Sequence, residues 1–308
     1  MAPGNSVNVV VVGAGSIGSR HQRILKQLGH QVSVVSANSP NAEFKSLSDA
    51  LERQSFDYAV IASQTSQHFH DFSTLIRNKF KGRVLIEKPV FEKPHRLKSN
   101  LFSFAAVGYN LRFHPAIIWL KDTLPKLGQL SSANFYVGQY LPTWRPDTDY
   151  RRSSSAQNIS GGGVLRDLSH ELDLAQHLFG DWQRLTAIGG KFSDLEITTD
   201  DTFSILMSAT KCNVVSVHLN YLDQIKQRNL TINGNNGTIS VDLVGNNAKF
   251  NDLEVKFSVS ADDSYTAQHL AVIANDSQNI CTLDDALKVV DTIEAIETAA
   301  KKQKWVSQ

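Results

Sequence analysis

Cysteine is scarce in this chain: Cys212 and Cys281 are the only two among 308 residues. Two thiols build neither a disulfide framework nor a sulfur-rich metal site. A reducing, cytoplasmic setting is the default expectation. An excess of one charge is also missing. A formal net charge of +1 supplies no bulk positive field, which argues against a protein that holds nucleic acid by neutralising phosphates. No apolar run approaches the roughly 20 residues of a membrane span. The opening Met1–Ser6 has neither the basic nor the apolar stretch of an export signal, so none is expected. Repeats and low-complexity segments are absent as well. What remains is a globular composition, 41 % hydrophobic and 20 % charged, long enough for a sizeable core and two ordinary domains.

The first third alternates strand and helix patterns. Val7–Val12 is a nearly continuous β-branched run, as in a strand buried on both faces. A helix pattern follows from Ile17 to Leu28, closed by Gly29. Further strands read at Val32–Val35, Tyr58–Ala62, Val84–Ile86 and Phe104–Gly108, with a helix at Phe69–Asn78. This alternation predicts βαβ units and a doubly wound parallel sheet, a Rossmann-type α/β domain over 1–118.

After His114-Pro115 the texture changes. A helix at Ala116–Leu124 and a strand at Gln129–Tyr140 lead into a polar, Gly-rich loop over Arg145–Gly163. One helix is expected over Val164–Phe179. Strand-like runs then follow at Leu185–Ile188, Asp201–Ser208, Val214–Leu222, Asn229–Ile232 and Thr238–Val241, separated by Gly and Asn turns. They predict an α+β domain over 119–308 with an open, predominantly antiparallel sheet. A last helix, 283–301, is placed to pack back on the first domain.

Gly13, Gly15 and Gly18 form G-x-G-x-x-G between a strand and a helix. The first glycine permits the tight turn and the second lets backbone approach a pyrophosphate. The third lets helix and strand pack closely, and Ser16 and Ile17 then open the helix whose N-terminus attracts phosphate. An NAD site usually ends its second strand in Asp or Glu, to hold the ribose hydroxyls. Here the strand ends Ser36-Ala37-Asn38. Nothing there repels a 2′-phosphate, and Ser36 and Asn38 are able to donate to one, although no Arg stands nearby. The expected cofactor is therefore NAD(P), with the balance toward NADP. The plainer alternative is a polar loop.

Glu87-Lys88-Pro89 follows the strand Val84–Ile86, so Lys88 stands at the carboxyl end of a parallel strand, where ligands bind. A Lys there can donate to a substrate hydroxyl or alkoxide. Most single lysines are solvated surface residues, and it is the position that favours a role. Gly13-x-Gly15-x-x-Gly18-x-x-His21, then Glu87-Lys88-Pro89, then Gly161-Gly162-Gly163 leading to Asp167, His170 and Asp173 resemble the glucose–fructose oxidoreductase / inositol dehydrogenase (Gfo/Idh/MocA) family over nearly the whole chain. The resemblance implies a Rossmann domain, a C-terminal domain with an open sheet, and NAD(P)-dependent oxidation or reduction of a sugar or polyol. It implies that Lys88 contacts substrate and nicotinamide, with Asp167 and His170 completing the catalytic set. It also implies a homodimer or homotetramer through the C-terminal sheet. One departure stands out. Two residues separate Asp167 from His170 here, where the family pattern has three.

On a continuous helix, at about 100° per residue, Val164, Leu165, Leu168, Leu172, Ala175 and Phe179 form one apolar stripe. His170 and His177 would then lie roughly 60° and 80° from Asp167, off that stripe. A carboxylate beside an imidazole fixes its tautomer and raises its basicity, so His170 is the candidate general base. The alternative is a solvated polar face, with Asp167 serving only the helix start. The three glycines before it let backbone approach a ligand, or simply form a flexible joint.

Ser63, Thr65 and His68 resemble the family's cofactor-contacting turn, where Glu87 and Asn110 also belong. His68 and His70 are two apart and do not share a helix face, so no zinc site is expected. Asn110 and Arg112 are hydrogen-bond formers for amide, ribose or sugar, or else cap a hinge. Arg145, Tyr150 and Arg152, in the loop from Trp144, suit an anionic or nucleotide-linked sugar through charge and stacking. Alternatively that loop makes a subunit clamp or pairs its arginines with Asp147 and Asp149. The function expected is hydride transfer between a nicotinamide and a sugar hydroxyl or carbonyl. Two rivals stand beside it: a sugar lyase using NAD without net redox, and a non-catalytic dinucleotide-bound regulator.

Overall fold

The structure is a computed structural model that describes residues 6–97, 99–145 and 148–308. Its elements open with β1 (Asn8–Val12), α1 (Ser16–Gln27), β2 (Gln31–Val35), α2 (Leu47–Arg53), β3 (Tyr58–Ile61), α3 (Thr65–Arg77), β4 (Arg83–Ile86) and β5 (Phe104–Val107). Next come α4 (Pro115–Thr123), β6 (Leu130–Gly138), α5 (Val164–Asp167) and α6 (His170–Phe179). The strands β7 (Trp182–Gly190), β8 (Thr202–Ala209), β9 (Cys212–Asn220), β10 (Gln227–Gly234), β11 (Gly237–Asp242), β12 (Asn247–Phe250) and β13 (Leu253–Lys256) follow. The chain closes with α7 (Asp263–Ala274), α8 (Leu283–Lys302) and β14 (Val306–Ser307). Among the described residues no helix is long and apolar enough to cross a membrane.

Two compact units result: Met1–Phe113 with Ala261–Leu287, and His114–Ser260 with Lys288–Gln308. The first holds a five-stranded parallel sheet in the order β2-β1-β3-β4-β5. Val9, Val10 and Val11 are fully buried, which is why β1 reads as an unbroken apolar run rather than an alternation. The order reverses at β1, the switch point at which ligands gather outside the strand carboxyl ends. Val12, Ile61, Ile86 and Val107 are register partners across β1, β3, β4 and β5. The residues that follow them therefore emerge in a row along one sheet edge.

The return of Ala261–Leu287 to this unit brings α7, which the sequence pattern did not single out. Its buried positions include Ser264, Gln268 and His269. A helix with a polar buried face carries no apolar stripe to read.

The second unit is a nine-stranded mixed sheet, β13-β12-β11-β10-β6-β9-β8-β7-β14, antiparallel except between β6 and β9. In β8 Phe203, Ile205, Met207 and Ala209 point inward while Ser204 and Leu206 face out. The helix expected over Val164–Phe179 is two helices. After α5 the backbone leaves the helical region at Leu168, and the Ser169 hydroxyl donates to the Arg166 carbonyl. A side chain that bonds its own backbone competes with the helical ladder, and the break falls there. The expected stripe is buried, but α6 also buries His170, Glu171, Asp173 and Leu174, so the polar residues are not on a solvated face.

Candidate functional site

In the first unit the glycines divide the work of the turn. Gly13 has φ +111°, and a Cβ added there would collide with the Ala62 carbonyl oxygen. A Cβ on Gly18 would collide with the Gly13 carbonyl oxygen. Both glycines are therefore demanded by packing. Gly15 is different: a Cβ there would meet nothing within 4 Å. It stands at the N-terminus of α1, with no side-chain cap and no acidic residue in the first turn. Backbone N–H groups and the positive end of the helix dipole thus face open space beside β1, the arrangement that suits a diphosphate. Ser16 is exposed at that end and Ile17 half-buried.

At the end of β2 the Ser36 hydroxyl accepts from the Ser39 N–H, and Asn38 is exposed. Lys45, which the sequence did not single out, donates to the Ser39 carbonyl at 2.7 Å. A cation therefore borders the loop where no nearby Arg was found. At the end of β3, Ser63 donates to Asp71 at 2.7 Å, and Thr65 opens α3.

Past β4, Glu87 and Lys88 emerge beside the β3 end, where the Glu87 N–H donates to the Ile61 carbonyl. The Glu87 carboxylate is buried and accepts from His21 Nε2 at 2.9 Å. His21 Nδ1 faces His269 Nε2 at 2.8 Å, and His269 Nδ1 faces the Tyr58 hydroxyl at 2.9 Å. Burial pushes Tyr58 well above its ordinary value and His269 well below. Burial alone would raise the Glu87 carboxyl. The hydrogen bond and positive end of His21, with Lys88 beside it, more than offset that and hold it low.

In the second unit, Gly161 and Gly163 have φ +72° and +115° and lead into α5. Asp200 caps that helix: its carboxylate accepts from the Leu165 N–H at 3.0 Å, and burial pushes it up to about 6. Asp167, the last residue of α5, accepts from the Tyr221 hydroxyl at 2.7 Å. Tyr221 is fully buried, and burial, followed by the Asp167 charge, raises its phenol well above the ordinary value. It stays protonated and therefore stays a donor. His170 opens α6, buried, and the next residue Glu171 forms a two-pronged pair with Arg228 at 2.7 and 3.0 Å.

Two family models match these units. One, described as the oxidoreductase family with an NAD-binding Rossmann fold, matches residues 7–105. The other, a GFO/IDH/MocA C-terminal domain, matches residues 125–240. The chain belongs to the Gfo/Idh/MocA family. Solved structures carry the same fold at low identity. GenD2 from gentamicin A biosynthesis, solved with NAD, is 20 % identical with a TM-score of 0.83, covering 100 % of this chain and 98 % of its own. Levoglucosan dehydrogenase with NADH is 15 % identical with a TM-score of 0.85, covering 98 % and 99 %. The myo-inositol 2-dehydrogenase of Lactobacillus plantarum is 16 % identical with a TM-score of 0.78, covering 98 % and 99 %. No curated protein matches this sequence.

Several residues expected at the Gfo/Idh/MocA site have other partners. His68 is buried, with Nδ1 at 3.0 Å from the Pro89 carbonyl and Nε2 at 3.1 Å from that of Ser63. Both ring nitrogens thus face backbone carbonyls; burial lowers the proton affinity of the ring, and a neutral ring donates to one of them at a time, holding the side chain between two strand ends. Arg112 is buried and donates to the Ile280 carbonyl at 2.9 Å and to Asp285 at 3.3 Å. It fastens the turn after β5 to the segment leading into α8. Glu87 faces His21 rather than open space. Asn110 donates to the Ser264 hydroxyl at 2.7 Å. Tyr150 accepts from the Glu196 N–H, and Arg151 is tied to Asp149 and Glu196. Arg145 and Arg152 remain exposed, while Pro146 and Asp147 lie outside the described residues. Asp167 and His170 belong to two helices, so their spacing is not that of one helix face. Tyr221, Asp200, His269, Lys45 and the Glu171–Arg228 pair carried no local signal.

Proposed function

We propose that this chain is a nicotinamide-dependent oxidoreductase acting on a hydroxyl or carbonyl of a sugar or polyol. One observation carries the reading: the open N-terminus of α1 at Gly15 and the Lys88 turn emerge along one sheet edge. Gly13, Gly15, Ser16, Ile17 and Gly18 would hold the diphosphate by backbone, and Ser63, Thr65 and Asn110 line the following strand ends. When bound, the cofactor supplies the hydride chemistry at its nicotinamide. Lys88 holds and polarises the reacting oxygen. His170 takes the hydroxyl proton in oxidation and returns it in reduction. Asp167, held by the buried Tyr221 hydroxyl, is the orienting carboxylate.

The absence of an acid after β2, with Lys45 bordering the Ser36–Ser39 turn, favours NADP. The charged-sugar reading rests on Arg145 and Arg152, which are exposed and whose neighbour Arg151 already has acidic partners. Exposed Ile188, Leu206 and Val214 on β7, β8 and β9 support assembly of copies through the sheet. Thermal-shift and fluorescence titrations with NAD, NADH, NADP and NADPH test the reading, followed by a panel of neutral and acidic sugars. Tight binding of one pair with a sugar-dependent change in reduced cofactor supports it. Stronger NADP(H) binding that Lys45→Ala weakens supports the cofactor preference. Sugar turnover without net reduction would replace it by a lyase, and no response to any dinucleotide would sink it.

A further inference from the structure

Tyr58, His269, His21 and Glu87 come from β3, α7, α1 and the end of β4, and the first three are fully buried. Their links measure 2.9, 2.8 and 2.9 Å. The acceptor-only carboxylate fixes the direction of the link to His21. It requires a proton on His21 Nε2. A neutral His21 then accepts at Nδ1, so His269 donates from Nε2 and accepts at Nδ1 from the Tyr58 hydroxyl. In that arrangement every ring nitrogen is used once. A proton added to the pair would reverse two links and take the His269 acceptor away from the buried Tyr58 hydroxyl. The second Glu87 oxygen accepts from the Lys88 backbone N–H at 3.3 Å.

We infer that Tyr58, His269 and His21 are positioning residues for Lys88, a one-way chain of donors that keeps Glu87 a fixed, charged carboxylate beside the lysine. Because His21 lies on α1, one turn beyond Gly18, the same chain ties the diphosphate-facing helix to the lysine turn. A low-dielectric interior strengthens such a series and makes any missing partner costly. The charged and titratable groups facing it are Arg83 toward Tyr58, His30 toward His269, and His68 and Lys88 toward Glu87. The Tyr265 ring stands edge-on to His21 at 5.8 Å. The inference rests on the proposed role of Lys88 in holding the reacting oxygen.

Its test begins without substrate. In protein labelled with ¹⁵N-histidine, long-range proton–nitrogen correlation reads the tautomers of His21 and His269, assigned with His269→Gln. Both are expected to carry a proton on Nε2 and none on Nδ1. A proton on Nδ1 of either ring overturns the chain. Next, Lys88 is followed by NMR after reductive ¹³C-methylation and assigned with Lys88→Arg. Glu87→Gln removes the neighbouring charge, and Tyr58→Phe removes only the terminal donor. Each is expected to lower the proton affinity of Lys88, by about tenfold for the loss of a full adjacent charge. An unshifted Lys88 in both folded variants overturns the inference. Where a sugar is turned over, both variants should lower kcat and move the pH profile. If the tautomers and the Lys88 shift hold but no sugar reacts, the proposed function fails and the chain stands. If turnover persists with Lys88 unmoved, the reverse is true.

Discussion

Arg228→Met tests whether the second unit depends on a buried charge pair next to His170. Glu171 is 1 % exposed and its carboxylate receives two Arg228 donors at 2.7 and 3.0 Å. Removing the guanidinium leaves a buried carboxylate without its counter-ion, a loss of about 3–5 kcal/mol. Against a total stability of roughly 5–15 kcal/mol, that is a large fraction. At about 2–4 °C per kcal/mol the melting temperature should fall by about 10 °C. Replacing both members, Glu171→Met with Arg228→Met, removes the orphan and should restore stability to within about 1 kcal/mol of the parent, or beyond it. The assay is urea unfolding at pH 8, with tryptophan fluorescence and circular dichroism as parallel probes of a two-unit chain. An Arg228→Met protein within about 1 kcal/mol of the parent at pH 8, or a double variant as damaged as the single one, would refute the argument.

Gly18→Ala forces a methyl against the Gly13 carbonyl oxygen; it should lower stability by about 1–3 kcal/mol and abolish the dinucleotide-induced thermal shift. Tyr221→Phe removes one hydrogen bond to the Asp167 carboxylate, worth about 1.5–3 kcal/mol in a buried setting. Steady-state kinetics should show its effect mainly in kcat, and an unchanged kcat would remove Asp167 from the site. Asp200→Asn keeps an acceptor for the Leu165 N–H while removing a carboxyl raised to about 6. Its folded pKa lies above the unfolded value, so ionisation weakens the native state as pH rises through about 6. Chemical denaturation should therefore show the variant more stable than the parent at pH 8, by up to about 3 kcal/mol, with the advantage gone at pH 4.

The parts that the sequence alone determined are those whose signals are local. A strand buried on both faces must be apolar throughout, so Val9–Val12 announced itself. A turn needing positive φ at Gly13 and contact at Gly18 admits only glycine there, and that need shows in three letters of sequence. The Glu87-Lys88-Pro89 segment followed from its place after a strand. Successive strand-like runs separated by Gly and Asn turns disclosed a mostly antiparallel sheet. Tertiary structure decided what those residues touch. The helix break at Leu168–Ser169 depends on one hydroxyl bonding its own backbone, which the apolar stripe on either side does not reveal. α7 buries polar residues, and only the chain's return to the first unit gives His269 its partners, 248 residues from His21 and 211 from Tyr58. Arg112 and His68 had the right chemistry for ligands, but the fold gave them backbone carbonyls first. Hydrogen-bond capacity is a property of the residue. Its partner is set by whichever distant group the closed chain brings within about 3 Å.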